Sequence, residues 1–164
     1  MSEANPPPPA VPNHFSYEIK MSKVIIAGSR DFNDFDCLKA YMATLPPWIE
    51  VKEVVSGGAT GADTLGEQWA TLYGLAVKRF PADWERHGRK AGPIRNAEMG
   101  VYADGLIAFW NGQSKGTLHM INFMKQNNKW TYVVRTDIPW CGKFRNGTPI
   151  LNNTEYTQER PGRT

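Results

Sequence analysis

The sequence predicts an α/β fold: a doubly wound, mostly parallel sheet of about five strands with helices on both faces. Three observations carry that expectation. Lys23-Val24-Ile25-Ile26-Ala27-Gly28 is an apolar, largely β-branched run with no polar alternation, the pattern of a strand buried on both faces. Strand-like and helix-like stretches then alternate along the chain. Small-residue loops follow several of the strands, where sheets of this kind bind their ligands.

The elements follow in order. Asn33 or Asp34 can cap a helix reaching about Leu45, with Leu38, Tyr41, Met42 and Leu45 at helical spacing, and Pro46-Pro47 stops it. Val51 to Ser56 reads as the second strand. Gly61 to Tyr73 is a helix with Leu65, Trp69 and Leu72 on one face, closed by Gly74. Leu75 to Phe80 is the third strand, and residues 81–92 form a polar loop rich in Arg, Lys and Gly. Pro93 suits the first turn of a helix running to about Tyr102. Leu106 to Trp110 is the fourth strand, a helix opens at Gly116 or Thr117 and ends near Gln126, and Trp130 to Arg135 is the fifth strand. Residues 1–22 carry the Pro6–Pro9 run and read as a disordered tail. Residues 136–164 lack periodicity and read as an irregular one, which leaves 23–135 as the domain.

Composition narrows the function. Hydrophobic residues are 41% of 164, enough for a sizeable core, so wholesale disorder is not expected. No apolar run approaches the ~18 residues of a membrane helix, and the N-terminus lacks a basic, then apolar, leader. A membrane partner is therefore not expected, and the expected compartment is the cytoplasm, or the host cytoplasm if the chain is phage-encoded. Cys37 and Cys141 make no CxxC motif, and the three histidines are scattered, so neither a disulfide framework nor a metal site is expected. A net charge of +3 suits an anionic small molecule and argues against a nucleic-acid partner.

The strand ends carry the chemistry. After the first strand, Gly28-Ser29-Arg30 offers a tight turn, a hydroxyl and a guanidinium fork; alone, such an Arg is more often a surface charge. After the second, Ser56-Gly57-Gly58-Ala59-Thr60-Gly61-Ala62-Asp63 lets a ligand approach the backbone just before a helix N-terminus. It lacks the Gly-Lys-Ser/Thr of a P-loop, so Mg²⁺-dependent NTPase chemistry is not indicated. Asp63 reads as a partner of the helix dipole, as an acceptor for a ribose hydroxyl, or as a catalytic carboxylate. After the fourth strand, Trp110-Asn111-Gly112-Gln113-Ser114-Lys115-Gly116-Thr117 repeats the small-residue pattern; Trp110 either stacks on a base or ends an apolar strand. Arg95-Asn96 begins a helix where a cation is electrostatically disfavoured, which favours a role in the same pocket. Trp84, Arg86, His87, Arg89 and Lys90 read either as a basic, aromatic lip or as a solvated loop.

These residues together resemble the SLOG superfamily of Rossmann-like nucleotide-binding domains, in particular its YspA/YpsA-like branch, common in bacteria and their phages. The resemblance spans about Lys23 to Arg135 and rests on four ordered motifs: Val24 through Phe32, Ser56 through Asp63, Ile94-Arg95-Asn96-Ala97-Glu98-Met99, and Ala108 through Thr117. It implies binding of a nucleotide or nucleotide-derived phosphorylated ligand by Gly28, Ser29, Arg30, Ser56, Gly57, Gly58, Ala59, Gly61, Ala62, Asp63, Arg95, Asn96, Trp110, Gly112, Ser114, Gly116 and Thr117. No cofactor is implied, and a homo-oligomer is expected by analogy only. Phosphoribohydrolases of this superfamily carry a catalytic Glu just after a Gly-Thr pair, whereas Leu118, His119 and Met120 follow Thr117 here. A replacement acid would be Asp63, Glu67 or Glu98, of which Asp63 and Glu98 are the candidates taken forward. The resemblance thus implies a binder or sensor first and a nucleoside 5′-monophosphate N-glycosidase second. A single-strand nucleic-acid binder, like the DNA-processing branch, comes third.

Overall fold

The computed structural model describes residues 20–138 and the strand backbone at 144–145, 148–149 and 154–156. The Pro6–Pro9 run and most of the C-terminal tail lie outside the described residues. The elements are β1 (Lys20–Gly28), α1 (Phe35–Met42), β2 (Ile49–Ser56), α2 (Ala62–Leu72), β3 (Ala76–Arg79), α3 (Trp84–His87), α4 (Ala91–Tyr102), β4 (Gly105–Trp110), α5 (Lys115–Gln126) and β5 (Trp130–Arg135). Short strands β6 (Phe144–Arg145), β7 (Thr148–Pro149) and β8 (Thr154–Tyr156) follow.

The sheet order is β3-β2-β1-β4-β5-β8. The first five strands are parallel, and β8 runs antiparallel to β5. This is the doubly wound α/β architecture, and the order reverses between β1 and β4, where such sheets open a crevice. Alternate strand residues feed two cores. Val24, Ile26, Val54, Ile107 and Phe109 pack with Leu38 and Tyr41 of α1 and Trp69 and Ala70 of α2. Ile25, Ala27, Val55, Leu106 and Ala108 pack with Met99 of α4 and Met120, Ile121 and Met124 of α5. Burial on both faces is why β1 reads as an unbroken apolar run. No helix among the described residues is long and apolar enough to cross a membrane.

Four details differ from the sequence reading. β1 starts at Lys20, inside the stretch assigned to the tail, because Lys20, Met21 and Ser22 pair with Ile49, Glu50 and Val51 ahead of a register shift at Ser22/Lys23. The polar loop 81–92 contains α3, capped by the Asp83 side chain accepting from Arg86 N, then a 3₁₀ turn at Gly88–Lys90 and the start of α4. A four-residue helix that buries nothing leaves no periodic signal. β8 adds a sixth strand from a region where none was read, three residues being too few to show alternation. Cys37, buried on α1, is disulfide-bonded, whereas the sequence reading anticipated none.

Gly28, named above as a ligand contact, has a packing reason of its own. It is registered against Phe109 of β4, and a Cβ added there would lie 2.1 Å from the Phe109 carbonyl oxygen and 2.9 Å from the Ala62 Cβ. Backbone cannot yield as a side chain does. Gly28→Ala is therefore expected to cost about 1–3 kcal/mol or more, read as a lowered urea midpoint with an unchanged slope.

Candidate functional site

The site is built from three loops that the sheet delivers to one edge. Ser29 fixes the first. Fully buried, it donates its N–H to Phe109 O (2.9 Å), accepts from Asn111 N on its hydroxyl (3.0 Å), and accepts from Phe32 N and Ala62 N on its carbonyl (3.1 and 3.4 Å). One residue thus ties the ends of β1 and β4 to the start of α2. Gly61 completes the junction at φ +82°, with its missing Cβ only 2.4 Å from Ser29 O. The Ser29 hydroxyl thus fastens the loop after β4 as an acceptor.

The loop after β2 is closed from inside. Asp63 Oδ2 accepts from Gly57 N (3.1 Å) and Ala59 N (3.3 Å), and Ser56 Oγ accepts from Gly58 N (3.0 Å) while donating to Glu67 Oε1 (2.7 Å). Arg79 holds Glu67 in turn, through Nε at 3.0 Å and Nη2 at 2.5 Å. Three N–H groups expected to face a phosphate are therefore engaged by the chain's own side chains. At the start of α2, Gly61 stands at the N-cap with no side-chain cap, while Ala62 N donates to Ser29 O and the Asp63 carboxyl lies in the first turn beside the positive end of the helix.

The loop after β4 is an Asx turn. Asn111 Oδ1 accepts from Gln113 N and Ser114 N, both at 2.9 Å, and Trp110 Nε1 donates to Ser114 O at 3.1 Å. Ser114 then caps α5, its hydroxyl 2.9 Å from Thr117 Oγ1. The Arg135 guanidinium lies 5.3 Å from the Trp110 ring centroid. Trp110 is thus engaged at its N–H and by a cation over its ring. Gly116, by contrast, faces open space: an added Cβ meets nothing within 4 Å.

Two adjacent side chains of α4 join these loops. Arg95 donates from Nη1 to the Gly57 carbonyl and from Nε to Asn96 Oδ1 (3.2 Å). Asn96, buried, donates from Nδ2 to Gly116 O (3.1 Å) and lies 3.4 Å from His119 Nδ1. His119 was not among the residues picked from the sequence. The available signal was its spacing, three residues after Gly116 and so on the same face of α5. Burial lowers the Arg95 pKa, Asp63 opposes that, and the Arg30 charge adds to it, which puts Arg30 within electrostatic reach of Arg95. Arg30 itself is exposed, as is Glu98, which takes no part in the bonds above. Among the described residues no group of three or more His, Cys, Asp and Glu is arranged to hold a metal.

A depression of about 370 Å³ opens beside this cluster, lined by Asp31, Asp34, Asn111, Gln113 and Asp137 among others. Three carboxylates make it an unfavourable place for phosphate.

Asp63 is the perturbed acid of the site. Burial pushes its carboxyl up to about 6 from an ordinary value of 3.8, against the pull of its bonds to the Ala59 and Gly57 N–H groups and of the Arg95 charge. Between those two values the folded chain holds a proton that the unfolded chain has released. Stability accordingly falls as pH rises from about 4 to about 6, by roughly 3 kcal/mol in total. Urea midpoints across that range should show the decline in the native chain and a flatter profile in Asp63→Asn.

Residues 22–87 match the model of the YspA, cpYpsA-related SLOG family. The chain is 40% identical over 111 residues to the Gene 61 protein of Mycobacterium phage D29, an alignment covering 60% of this chain and 85% of that protein. Its fold is similar to the X-ray structure of DNA processing protein A (DprA) from Streptococcus pneumoniae, with a TM-score of 0.56 at 16% identity, over 79% of this chain and 53% of the other. The chain therefore spans about half the length of that protein, and the likeness is one of fold. With the doubly wound sheet, the glycine loop after β2 and a phage relative of this similarity, the chain belongs to the YspA, cpYpsA-related SLOG family.

Proposed function

We propose that the edge formed by the loops after β1, β2 and β4 binds a nucleotide or nucleotide-derived phosphorylated ligand, as a binder or sensor. The observation that carries this reading is the half-buried Arg95, anchored on the Gly57 carbonyl beside Arg30 and the uncapped start of α2. A buried guanidinium whose pKa burial depresses is an unfavourable charge that a bound anion would stabilise. With Gly57, Gly58 and Ala59 N–H engaged internally, the remaining donors for phosphate are the two guanidinium groups and the first turn of α2. The open space at Gly116 leaves room for the rest of the ligand.

Asp63 supports a second reading, an N-glycosidase acting on nucleoside 5′-monophosphates. A carboxyl poised near 6 beside an anion site has the pKa of a general acid or base. Glu98, exposed, lacks that environment. The likeness to a DNA-processing protein keeps a single-stranded nucleic acid among the ligands to test, although the sequence reading set it aside.

Calorimetric titration with nucleoside mono- and diphosphates is the direct test. Arg30→Ala and Arg95→Ala are each expected to weaken binding about tenfold to a hundredfold, the worth of a hydrogen bond to a charged group. Unchanged affinity in both would remove the site from this edge. Chromatography of an overnight incubation should show intact nucleotide; free base that disappears in Asp63→Asn would establish the glycosidase instead. Tighter binding of a single-stranded oligonucleotide, falling steeply with salt, would favour the nucleic-acid reading.

A further inference from the structure

The geometry points to Trp84 as the platform on which the ligand's base stacks, one helical turn from the Arg95 that holds its phosphate; this rests on the anion site proposed above. Trp84 opens α3 and is 53% exposed, a large apolar face left in water. Trp110, the aromatic picked from the sequence for this role, has its indole N–H committed to Ser114 O and a guanidinium over its ring. Trp84 has no ring contact, cation contact or hydrogen bond of its side chain among the described residues.

Its position follows from α4. A Cβ added at Gly92 would lie 3.5 Å from Trp84 Cη2, so the far edge of the indole rests against the helix at that turn. Gly92, Arg95 and Asn96 stand at i, i+3 and i+4, hence on one face, with Gly92 and Arg95 about 4.5 Å apart along the axis. Helical side chains lean toward the N-terminus, which tilts Arg95 toward the Trp84 turn. The turn of α4 that meets the indole thus stands one turn from the residue that holds the anion. Arg86, Arg89 and Lys90 stand on α3 and the turn after it, all exposed and with no ion pair among the described residues, and they outnumber the exposed Asp83 and Glu85, so the net charge of this rim is positive. The ligand class that fits is a nucleoside phosphate, with base identity weakly discriminated because every base offers a π-face.

The test uses the full-length chain and two probes, adenosine 5′-monophosphate and ribose 5-phosphate, titrated into the native protein and into Trp84→Ala, Trp84→Phe and Arg95→Ala. Trp84 lies in an element that buries nothing, so its variants should melt like the native chain, which a thermal scan checks. The proposal expects Trp84→Ala to weaken the nucleotide about ten- to a hundredfold, Trp84→Phe to retain most of the affinity, and ribose 5-phosphate to bind both variants as it binds the native chain. Arg95→Ala should weaken both probes. If Arg95→Ala weakens both while Trp84→Ala leaves the nucleotide unchanged, the stacking proposal is overturned and the anion site stands. Equal weakening of both probes by Trp84→Ala also overturns it, since the residue would then serve the phosphate or the fold. If neither probe binds the native chain, or Arg95→Ala affects neither, the anion site falls and this proposal with it.

Discussion

The architecture of the site depends on one constraint, the close approach of β1 to β4 and α2 at Gly28-Ser29. With no side chain at Gly28, the strand end lies against the Phe109 carbonyl and Ala62. Ser29, fully buried, then spends its N–H, carbonyl and hydroxyl on β4, on its own loop, on α2 and on the loop after β4. A buried polar residue with all its groups paired is rigid, because breaking any pair strands a partner away from water. The switch in strand order supplies the crevice; this junction sets how the loops around it are placed.

The rest of the edge is held by similarly local fastenings. Asp63 closes the glycine loop, Ser114 caps α5, and Arg95 with Asn96 spans from one to the other. Each fastening uses hydrogen-bonding groups that a list of residue types would assign to a ligand. The outcome is a preorganised frame with few donors to spare, and the anion site proposed above relies chiefly on its guanidinium groups. Preorganisation of this kind lowers the ordering cost of binding a small ligand.

The fold was largely legible because burial on both faces writes itself as apolar runs such as Val24–Ala27, and the small-residue loops mark the strand ends. The loops were legible as places but not as bonding patterns. Composition states that Ser29, Ser56 and Trp110 can hydrogen-bond; it does not state that Asn111, Glu67 and Ser114 claim them first. Short elements such as α3 escaped because four residues span barely one turn, and β8 because a strand on a sheet edge needs few apolar residues. The disulfide at Cys37 gave no signal, since its sequence context has no spacing motif and pairing across a chain depends on the fold.

Both margins of the sheet end in short strands, and this bears on how copies of the chain can meet. On one side the outermost strand is β8, three residues long, which runs antiparallel along Tyr132–Val134 of β5. On the other side β3 is the outermost strand, four residues long, with exposed Lys78 and Arg79 on it. Short, positively charged borders resist the addition of another strand, because two copies approaching through them bring like charges together. If this chain self-associates, contact through helix faces or loops is accordingly favoured over a continuous sheet shared between two molecules.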